Sequence, residues 1–253
     1  MKLTINNSFK QGVNILIPMS GAGSRFVKAG HTAPKPLIKV KGKTMIEWAM
    51  KSFNFLNNIP RYRIIFIIRR SDIDNYKIDK TLKSLFGKEI ILVVKDSNEV
   101  KGQAYDCLLA RNYIDTQNPL FIYNCDTYSL SNVWDVVLKW DPDGVIPYFK
   151  SNNPRYSFIK IDEKGNIIQT TEKVPISMMA SSGMYYFKMG HDFCEAAEEM
   201  ISENESYNKE YYVIPTYNRL IKKGKIVKPA KATLNWILGT PEEMERFIQF
   251  YKR

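Results

Sequence analysis

The sequence has little of the chemistry on which many hydrolases and redox enzymes depend. Its 253 residues include only three cysteines and two histidines. Cys107, Cys125 and Cys194 are far apart and odd in number, which argues against a disulfide framework or a cysteine metal site and is typical of a reducing compartment. Neither His31 nor His191 lies in a nucleophile motif, and no G-x-S-x-G elbow is present. The chain therefore offers no evident nucleophile paired with a base.

Long apolar and long basic runs are also missing. No stretch approaches the 18 or more apolar residues that a membrane span requires, and the N-terminus has no apolar segment resembling a signal peptide. Runs of five or six basic residues and the aromatic motifs of RNA-binding domains are absent too. From these absences we expect a cytoplasmic protein that binds neither membrane nor nucleic acid.

What the chain does have is an excess of positive charge and enough apolar residues for a large core. The formal charge is +11, and 44% of the residues are hydrophobic. The charge favours an anionic partner such as a nucleotide, a phosphorylated metabolite, nucleic acid or acidic lipid, although a generally basic surface would give the same value. The length permits one large α/β domain or two small ones, and we predict a single domain over residues 1–253.

Buried strands and amphipathic helices alternate through the first half of the chain. The β-branched apolar runs that predict strands lie at 13–17, 64–68, 90–94 and 120–123. The helical periodicities begin behind Thr44, near residue 75 and near Gly102. This alternation predicts a three-layer α/β fold with a mostly parallel central sheet, in which ligands bind at the carboxyl ends of the strands.

Beyond residue 126 the pattern changes. Short strands are predicted at 145–148, 156–161 and 184–187, and helices at 192–203 and 209–222. A last helix begins with T-P-E-E at residues 240–243, which predicts a capping box with proline at the first helical position. This part of the chain is predicted to form a small antiparallel extension of the central sheet.

The segment that follows the first strand has the composition of a phosphate-binding loop. Gly21 and Gly23 permit backbone angles that let consecutive N–H groups converge on an anion. Arg25 can hold phosphate oxygens bidentately, and Lys35, between two prolines, adds a second positive charge. The loop is neither a dinucleotide fingerprint, because Phe26 replaces the third glycine, nor a P-loop, because G-K-[ST] is missing. By itself, the glycine pair is equally consistent with an ordinary turn.

The pattern G-x-G-x-R-F with a downstream P-K-P-L resembles the signature of the sugar-phosphate nucleotidyltransferases. In that family the glycine loop wraps a nucleoside triphosphate, and the arginine and the P-K-P lysine hold its phosphates. The resemblance implies a Rossmann-like fold of the GT-A type, with a nucleotide-binding half at 13–126 and an acceptor-binding half at 127–253. The nucleotide-binding residues that it implies are Met19, Ser20, Gly21, Ala22, Gly23, Ser24, Arg25, Lys35, Gln103, Ala104 and Asn124. Gln103 stands where the family reads the base, although an ordinary helix N-terminal residue is the alternative.

Asp126, in N-C-D at the end of a predicted strand, is the candidate metal ligand. A hard cation such as Mg²⁺ takes carboxylate oxygens together with substrate phosphates, although a turn aspartate after a strand is the alternative. In the resembling family an aspartate at this strand end binds the catalytic magnesium, which implies Mg²⁺ as cofactor and Arg25, Lys35 and Asp126 as catalytic residues. The family often carries a second acid in W-x-D-x-G-T, whereas this chain reads W-I-L-G-T-P from Trp236, so a second protein ligand stays open.

Glu172 and Lys173, in T-E-K-V-P, precede Gly183 by about ten residues. An E-K pair is ordinarily a solvated surface pair, but the resemblance implies that Lys173 meets the acceptor phosphate and that Gly183 allows its close approach. The segment at 150–182 is most similar to that of the cytidylyltransferases of bacterial capsule phosphoramidate synthesis. Those enzymes join CMP from CTP to phosphorylated L-glutamine.

These features predict a nucleotidyltransferase that needs no general base. A phosphate monoester is largely dianionic at neutral pH, so the acceptor phosphate can itself attack the α-phosphorus of a nucleoside triphosphate and release pyrophosphate. The alternatives are transfer to a sugar 1-phosphate or to phosphocholine, a catalytically silent nucleotide-sensing domain of the same fold, and a basic RNA-binding protein. The sequence leaves the oligomeric state open.

Overall fold

A computed structural model describes Phe9 and residues 12–252 of the chain. The strands in these residues are β1 (Val13–Pro18), β2 (Lys39–Val40), β3 (Lys43–Thr44), β4 (Tyr62–Arg69), β5 (Ile91–Lys95), β6 (Leu120–Tyr123), β7 (Thr127–Ser131), β8 (Gly144–Lys150), β9 (Ser157–Ile161), β10 (Ile167–Glu172), β11 (Met179–Ser181), β12 (Met184–Phe187) and β13 (Val227–Ile237). The α-helices are α1 (Ser24–Lys28), α2 (Met45–Met50), α3 (Arg70–Tyr76), α4 (Ile78–Phe86), α5 (Gln103–Cys107), α6 (Arg111–Ile114), α7 (Val133–Trp140), α8 (Gly190–Ser202), α9 (Thr216–Lys222) and α10 (Pro241–Phe250).

The central feature is a mixed sheet of eleven strands, beside which β2 and β3 form a separate hairpin. Its first part is parallel, with the strand order β5-β4-β1-β6. The chain adds β4 and β5 on one side of β1 and β6 on the other, so the direction of winding reverses between β1 and β6. In open α/β sheets the crevice at such a reversal is the usual ligand site.

The second part of the sheet is mainly antiparallel. Strand β12 pairs antiparallel with β6, and β8, β11, β9 and β10 continue the sheet from there. The predicted parallel core with an antiparallel extension is confirmed. The extension also contains β7, β11 and β13, which were not predicted. Strand β7 (T-Y-S-L-S) and residues 230–236 of β13 (A-K-A-T-L-N-W) alternate polar and apolar residues, so the sequence did carry a strand signal there.

Two predicted helices differ from the observed ones. The helix predicted at 209–222 begins only at Thr216, because Asn208 and Lys209 have positive φ angles, which an α-helix excludes, and Pro215 at the N-cap has no N–H to continue a helix from residues before it. The helix predicted near residue 75 is divided at Lys77, whose φ of 53° separates α3 from α4. The predicted cap of α2 is present, since Thr44 and Glu47 form a full capping box.

Helices cover both faces of the sheet, because the side chains of β1 alternate between two apolar clusters. Val13, Ile15 and Ile17 belong to one cluster, and Leu16 belongs to the other. All six residues of β1 are buried, as expected for a strand at the centre of three layers. Among the described residues, no helix is long and apolar enough to cross a bilayer.

Candidate active site

The chain encloses two adjoining cavities at the carboxyl ends of the strands beside the β1–β6 reversal. The first cavity has a volume of about 460 Å³ and the second of about 470 Å³. The residues that line both are Lys35, Gln103, Asn124, Asp126 and Tyr212. Because these side chains face both spaces, molecules bound in the two cavities would meet at Lys35 and Asp126.

Most of the predicted site residues line these cavities. On the first lie Met19, Ser20, Gly21, Ala22, Gly23, Lys35, Gln103, Asn124 and Asp126. Arg25 lines the second cavity instead, together with Glu172, Lys173 and Gly183. Two predicted residues line neither: Ser24 is exposed at the start of α1, and Ala104 is fully buried in the core.

The glycine loop packs closely against the segment that carries Lys35. Gly23 has a φ of 62°, and a Cβ at this position would lie 3.1 Å from the Cβ of Lys35. A larger residue would be strained and would press the loop away from Lys35. Gly21, by contrast, has open space around it, so the missing side chain leaves the rim of the first cavity clear.

Lys35 and Asp126 form an ion pair at the junction of the cavities. Lys35 Nζ donates to Asp126 Oδ2 at 2.5 Å, and the two side chains are 21% and 15% exposed. Burial lowers the pKa of Lys35, but the Asp126 carboxylate outweighs burial and raises it above its ordinary value. Burial likewise raises the pKa of Asp126, and the Lys35 ammonium more than reverses this. Both groups are therefore charged at neutral pH.

A buried cluster of three polar side chains anchors the start of the glycine loop. Ser20 Oγ donates to Asp106 Oδ2 at 2.5 Å, and Lys95 Nζ donates to Asp106 Oδ1 at 2.6 Å. All three residues are buried, and each carboxylate oxygen of Asp106 has a partner. A buried charge pair whose hydrogen bonds are satisfied holds its members in one geometry. It thereby holds Ser20 at the first cavity.

A second polar set crosses from the first cavity to the second. Gln103 Nε2 donates to Asn124 Oδ1 at 2.8 Å, and the Asn124 N–H donates to the Gly183 carbonyl at 3.1 Å. Gly183 has a φ of 81°, and a Cβ there would collide with the Asn124 amide. Glycine is thus required where the start of β12 approaches the end of β6.

Glu172 and Lys173 are not a solvated surface pair. Glu172 is buried and accepts a hydrogen bond from Ser157 Oγ at 2.5 Å, and burial raises the pKa of its carboxyl. Lys173 Nζ donates to the Tyr212 hydroxyl at 2.5 Å and lies 4.3 Å and 5.2 Å from the ring centroids of Tyr212 and Tyr207. Cation–π contacts of this kind hold the ammonium group at the wall of the second cavity.

Several charged residues of the two cavities were not predicted from the sequence: Arg69, Lys95, Asp106, Arg155 and Glu243. Lys95 had a usable signal, because it directly follows a predicted strand and strand ends form the site. Asp106 lies three residues after Gln103 on one helix, a spacing that brings side chains together. Arg155 and Glu243 had no local signal, since only the folded chain brings them to the second cavity.

The cysteines are not candidates for nucleophilic catalysis. All three lie within the described part of the chain and are free and buried. Burial raises the pKa of Cys125, which lines the first cavity, to about 12. A thiol with such a pKa stays protonated at neutral pH and is a poor nucleophile. The site can therefore bind and orient charged groups, but it offers no activated cysteine.

A glycine loop, a lysine and an aspartate thus meet at the carboxyl ends of parallel strands, above two joined cavities. Together the fold and the site define an α/β protein of the nucleotidyltransferase class. The chain belongs to the Nucleotidyl transferase family, whose family model matches residues 15–239.

Known relatives and structures agree with this family. The chain is 24% identical over 180 residues to the bifunctional protein GlmU of Methanococcus aeolicus. This match covers 70% of this chain and 40% of that protein. It is 26% identical over 173 residues to the low-salt glycan biosynthesis nucleotidyltransferase Agl11 of Haloferax volcanii, covering 66% of this chain and 47% of that protein. The chain spans less than half the length of these relatives.

Among solved structures, the chain resembles the nucleoside-diphosphate-sugar pyrophosphorylase of Vibrio cholerae. The TM-score is 0.80 at 28% sequence identity, and the match covers 93% of this chain and 99% of the other. The predicted Rossmann-like nucleotidyltransferase fold is therefore confirmed over nearly the whole chain.

Proposed function

We propose that the protein transfers CMP from CTP to a phosphorylated small-molecule acceptor and releases pyrophosphate. Our best candidate for the acceptor is L-glutamine phosphate, which would place the reaction in capsular phosphoramidate biosynthesis in the cytoplasm. The observation that carries the transfer reaction is the pair of adjoining cavities with the charged Lys35–Asp126 pair at their junction. Triphosphate in the first cavity and acceptor in the second would bring the two reacting phosphates to this pair.

The residues at the junction fit a divalent cation. Asp126 provides a charged carboxylate, which is the ligand that Mg²⁺ prefers. No group of three or more acidic, histidine or cysteine residues that could hold a metal occurs within the described chain, so phosphate oxygens and water would complete the shell. When bound, Mg²⁺ would neutralise charge on the transferring and leaving phosphates.

Two basic side chains would position the reacting phosphates. Lys35, fixed between two prolines, would hold the triphosphate, and Arg25, on the second cavity, would attract the acceptor phosphate toward the same point. Because a dianionic phosphate attacks without losing a proton, no side chain has to act as a base. Alignment and charge neutralisation are then sufficient for the reaction.

The orientation of Gln103 supports CTP. One N–H of its Nε2 is held by Asn124 Oδ1, and in this orientation Oε1 is the side-chain atom that can accept a hydrogen bond from a base in the first cavity. The 4-amino group of cytosine is a donor, whereas the 4-oxo group of uracil or thymine is an acceptor and would repel this oxygen. We therefore assign base selection to Gln103, with Asn124 as the residue that orients it.

The charges of the second cavity support an acceptor that carries both signs of charge. Its walls contain the cations Arg25, Arg155 and Lys173, but also the carboxylates of Glu172 and Glu243. A phosphorylated amino acid has an anionic phosphate, a carboxylate and an ammonium group, and could pair with both sets. A sugar 1-phosphate is the second candidate, favoured by the similarity to the nucleoside-diphosphate-sugar pyrophosphorylase.

The proposed reaction is tested by pyrophosphate release from a matrix of substrates. CTP, UTP, dTTP, GTP and ATP are each combined with L-glutamine phosphate, glucose 1-phosphate and phosphocholine in the presence of Mg²⁺. We expect the highest kcat/KM for CTP with L-glutamine phosphate. A preference for glucose 1-phosphate would replace the acceptor and keep the reaction class, whereas triphosphate binding without turnover for any acceptor would support a nucleotide-sensing domain.

Lys173→Ala is expected to damage acceptor use and to leave triphosphate binding nearly unchanged. The ammonium group lies on the second cavity only, and a charge-assisted contact to phosphate contributes about 1.5 to 3 kcal/mol. The acceptor's kcat/KM should therefore fall roughly 10- to 100-fold. Steady-state kinetics measure this loss, and calorimetry measures the affinity for CTP, which should stay close to that of the wild type. Lys160→Ala, an exposed lysine on the neighbouring strand β9, is the control. Equal losses in CTP binding and acceptor use would contradict the division into two subsites.

A further inference from the structure

Glu243 is a cavity residue whose side chain is not used as the sequence predicted. Its N–H donates to the Thr240 side chain at 3.3 Å, so the first half of the predicted capping box is present at the start of α10. A full capping box, like that of Thr44 and Glu47 at α2, is not formed here. The carboxylate lies on the second cavity instead.

The two oxygens of this carboxylate have different surroundings. Oε1 lies 3.5 Å from Arg155 Nη2, an ion pair that orients the group. Oε2 is buried and has no hydrogen-bond partner among the described residues. A buried carboxylate oxygen without a partner costs free energy, so such an atom indicates that a ligand completes it.

Oε2 and Asp126 Oδ2 both face the open side of Gly239. A Cβ built on Gly239 would lie 3.1 Å from Asp126 Oδ2 and 3.3 Å from Glu243 Oε2, so the two oxygens are separated by no more than the sum of these distances. Two carboxylate oxygens that face one space can both bind a divalent cation, which takes several oxygen ligands.

The neighbouring residues Ile237 and Gly239 cannot provide a second carboxylate at this position. Ile237 lines the same cavity but has no side-chain oxygen, and Gly239 has no side chain to separate the two acids. We propose that Glu243 is the second protein carboxylate of the divalent-cation site, binding through Oε2 the same ion that Asp126 binds. The proposal rests on the proposed function for the role of the ion, and it resolves the absence of an acid in W-I-L-G-T-P.

The test is the affinity for Mn²⁺, which takes oxygen ligands as Mg²⁺ does, measured by electron paramagnetic resonance with CTP and no acceptor. We expect Glu243→Gln to weaken Mn²⁺ binding about 10-fold or more, since even residues that only orient metal ligands contribute about 10- to 100-fold. Glu242→Gln, an exposed neighbour on the first turn of the same helix, should bind as the wild type does. Glu243→Asp keeps the charge and should lose less than Glu243→Gln.

Three outcomes separate the possibilities. Wild-type affinity in Glu243→Gln would overturn the proposal and leave Glu243 as a partner of Arg155 only. If Glu243→Gln does not fold, Glu243→Asp must still show weaker Mn²⁺ binding than Glu242→Gln, and equal binding overturns the proposal. Failure of the proposed function is distinct, because a wild-type protein that binds no Mn²⁺ with any of the triphosphates contradicts that function itself.

Discussion

Asp126→Ala is expected to reduce kcat by about 1,000-fold or more, because the carboxylate at the junction of the cavities is the main protein ligand of the proposed cation. Asp126 is partly buried and charged, and it is the one acidic residue of the described chain that lines both cavities, so its loss removes the carboxylate at their junction. The loss should appear in single-turnover rates measured at saturating CTP and acceptor, and in Mn²⁺ binding.

The control for Asp126→Ala is Asp135→Ala, an exposed acid on α7. It should have wild-type activity, and circular dichroism should show that both variants fold. Removal of Asp126 leaves Lys35 partly buried without its partner, so some loss of stability is expected. A folded Asp126→Ala protein that keeps near-normal activity with Mg²⁺ would show that the metal assignment is wrong.

Lys35→Ala is expected to lower kcat roughly 100-fold or more while Mn²⁺ binding is retained, because Lys35 provides charge for the phosphates and Asp126 provides the ligand for the ion. In the structure Lys35 Nζ and Asp126 Oδ2 form an ion pair at 2.5 Å, so their charges offset each other. Without the ammonium, the Asp126 carboxylate is freer to bind a cation, and the positive charge on the triphosphate is lost.

The retained Mn²⁺ affinity distinguishes this variant from Asp126→Ala. Lys39→Ala, an exposed lysine on β2, is the matched control and should turn over normally. If Lys35→Ala were as active as the control, Lys35 would have no part in the chemistry and its ion pair with Asp126 would be structural only. If it lost Mn²⁺ binding as Asp126→Ala does, the separation of roles between the two residues would be incorrect.

The parallel core was predictable because its strands depend on local composition. All six residues of strand β1 are buried, and five of them are apolar, so the strand is visible in the sequence as a short apolar run interrupted only by Asn14. Strand β13 was missed although residues 230–236 alternate apolar and polar residues; its pairing with β7 and β8, by contrast, is set only by the folded chain. The helix predicted from residue 209 was wrong at its start because Asn208 and Lys209 have positive φ angles there.

The sequence by itself determined the candidate residues whose spacing is local: the glycine loop, Arg25, Lys35 within P-K-P-L, and Asp126 after a buried strand. The carboxyl end of a buried strand indicates a ligand site, and glycine permits a tight loop there; both can be recognised without knowing which distant segments pack nearby. Only the tertiary structure decided that Arg25 lines the second cavity, that Asp106 and Lys95 support the glycine loop, and that Glu243 lies beside Asp126. These relations join residues 11 to 117 positions apart in the chain, and folding alone sets the distances between their charges.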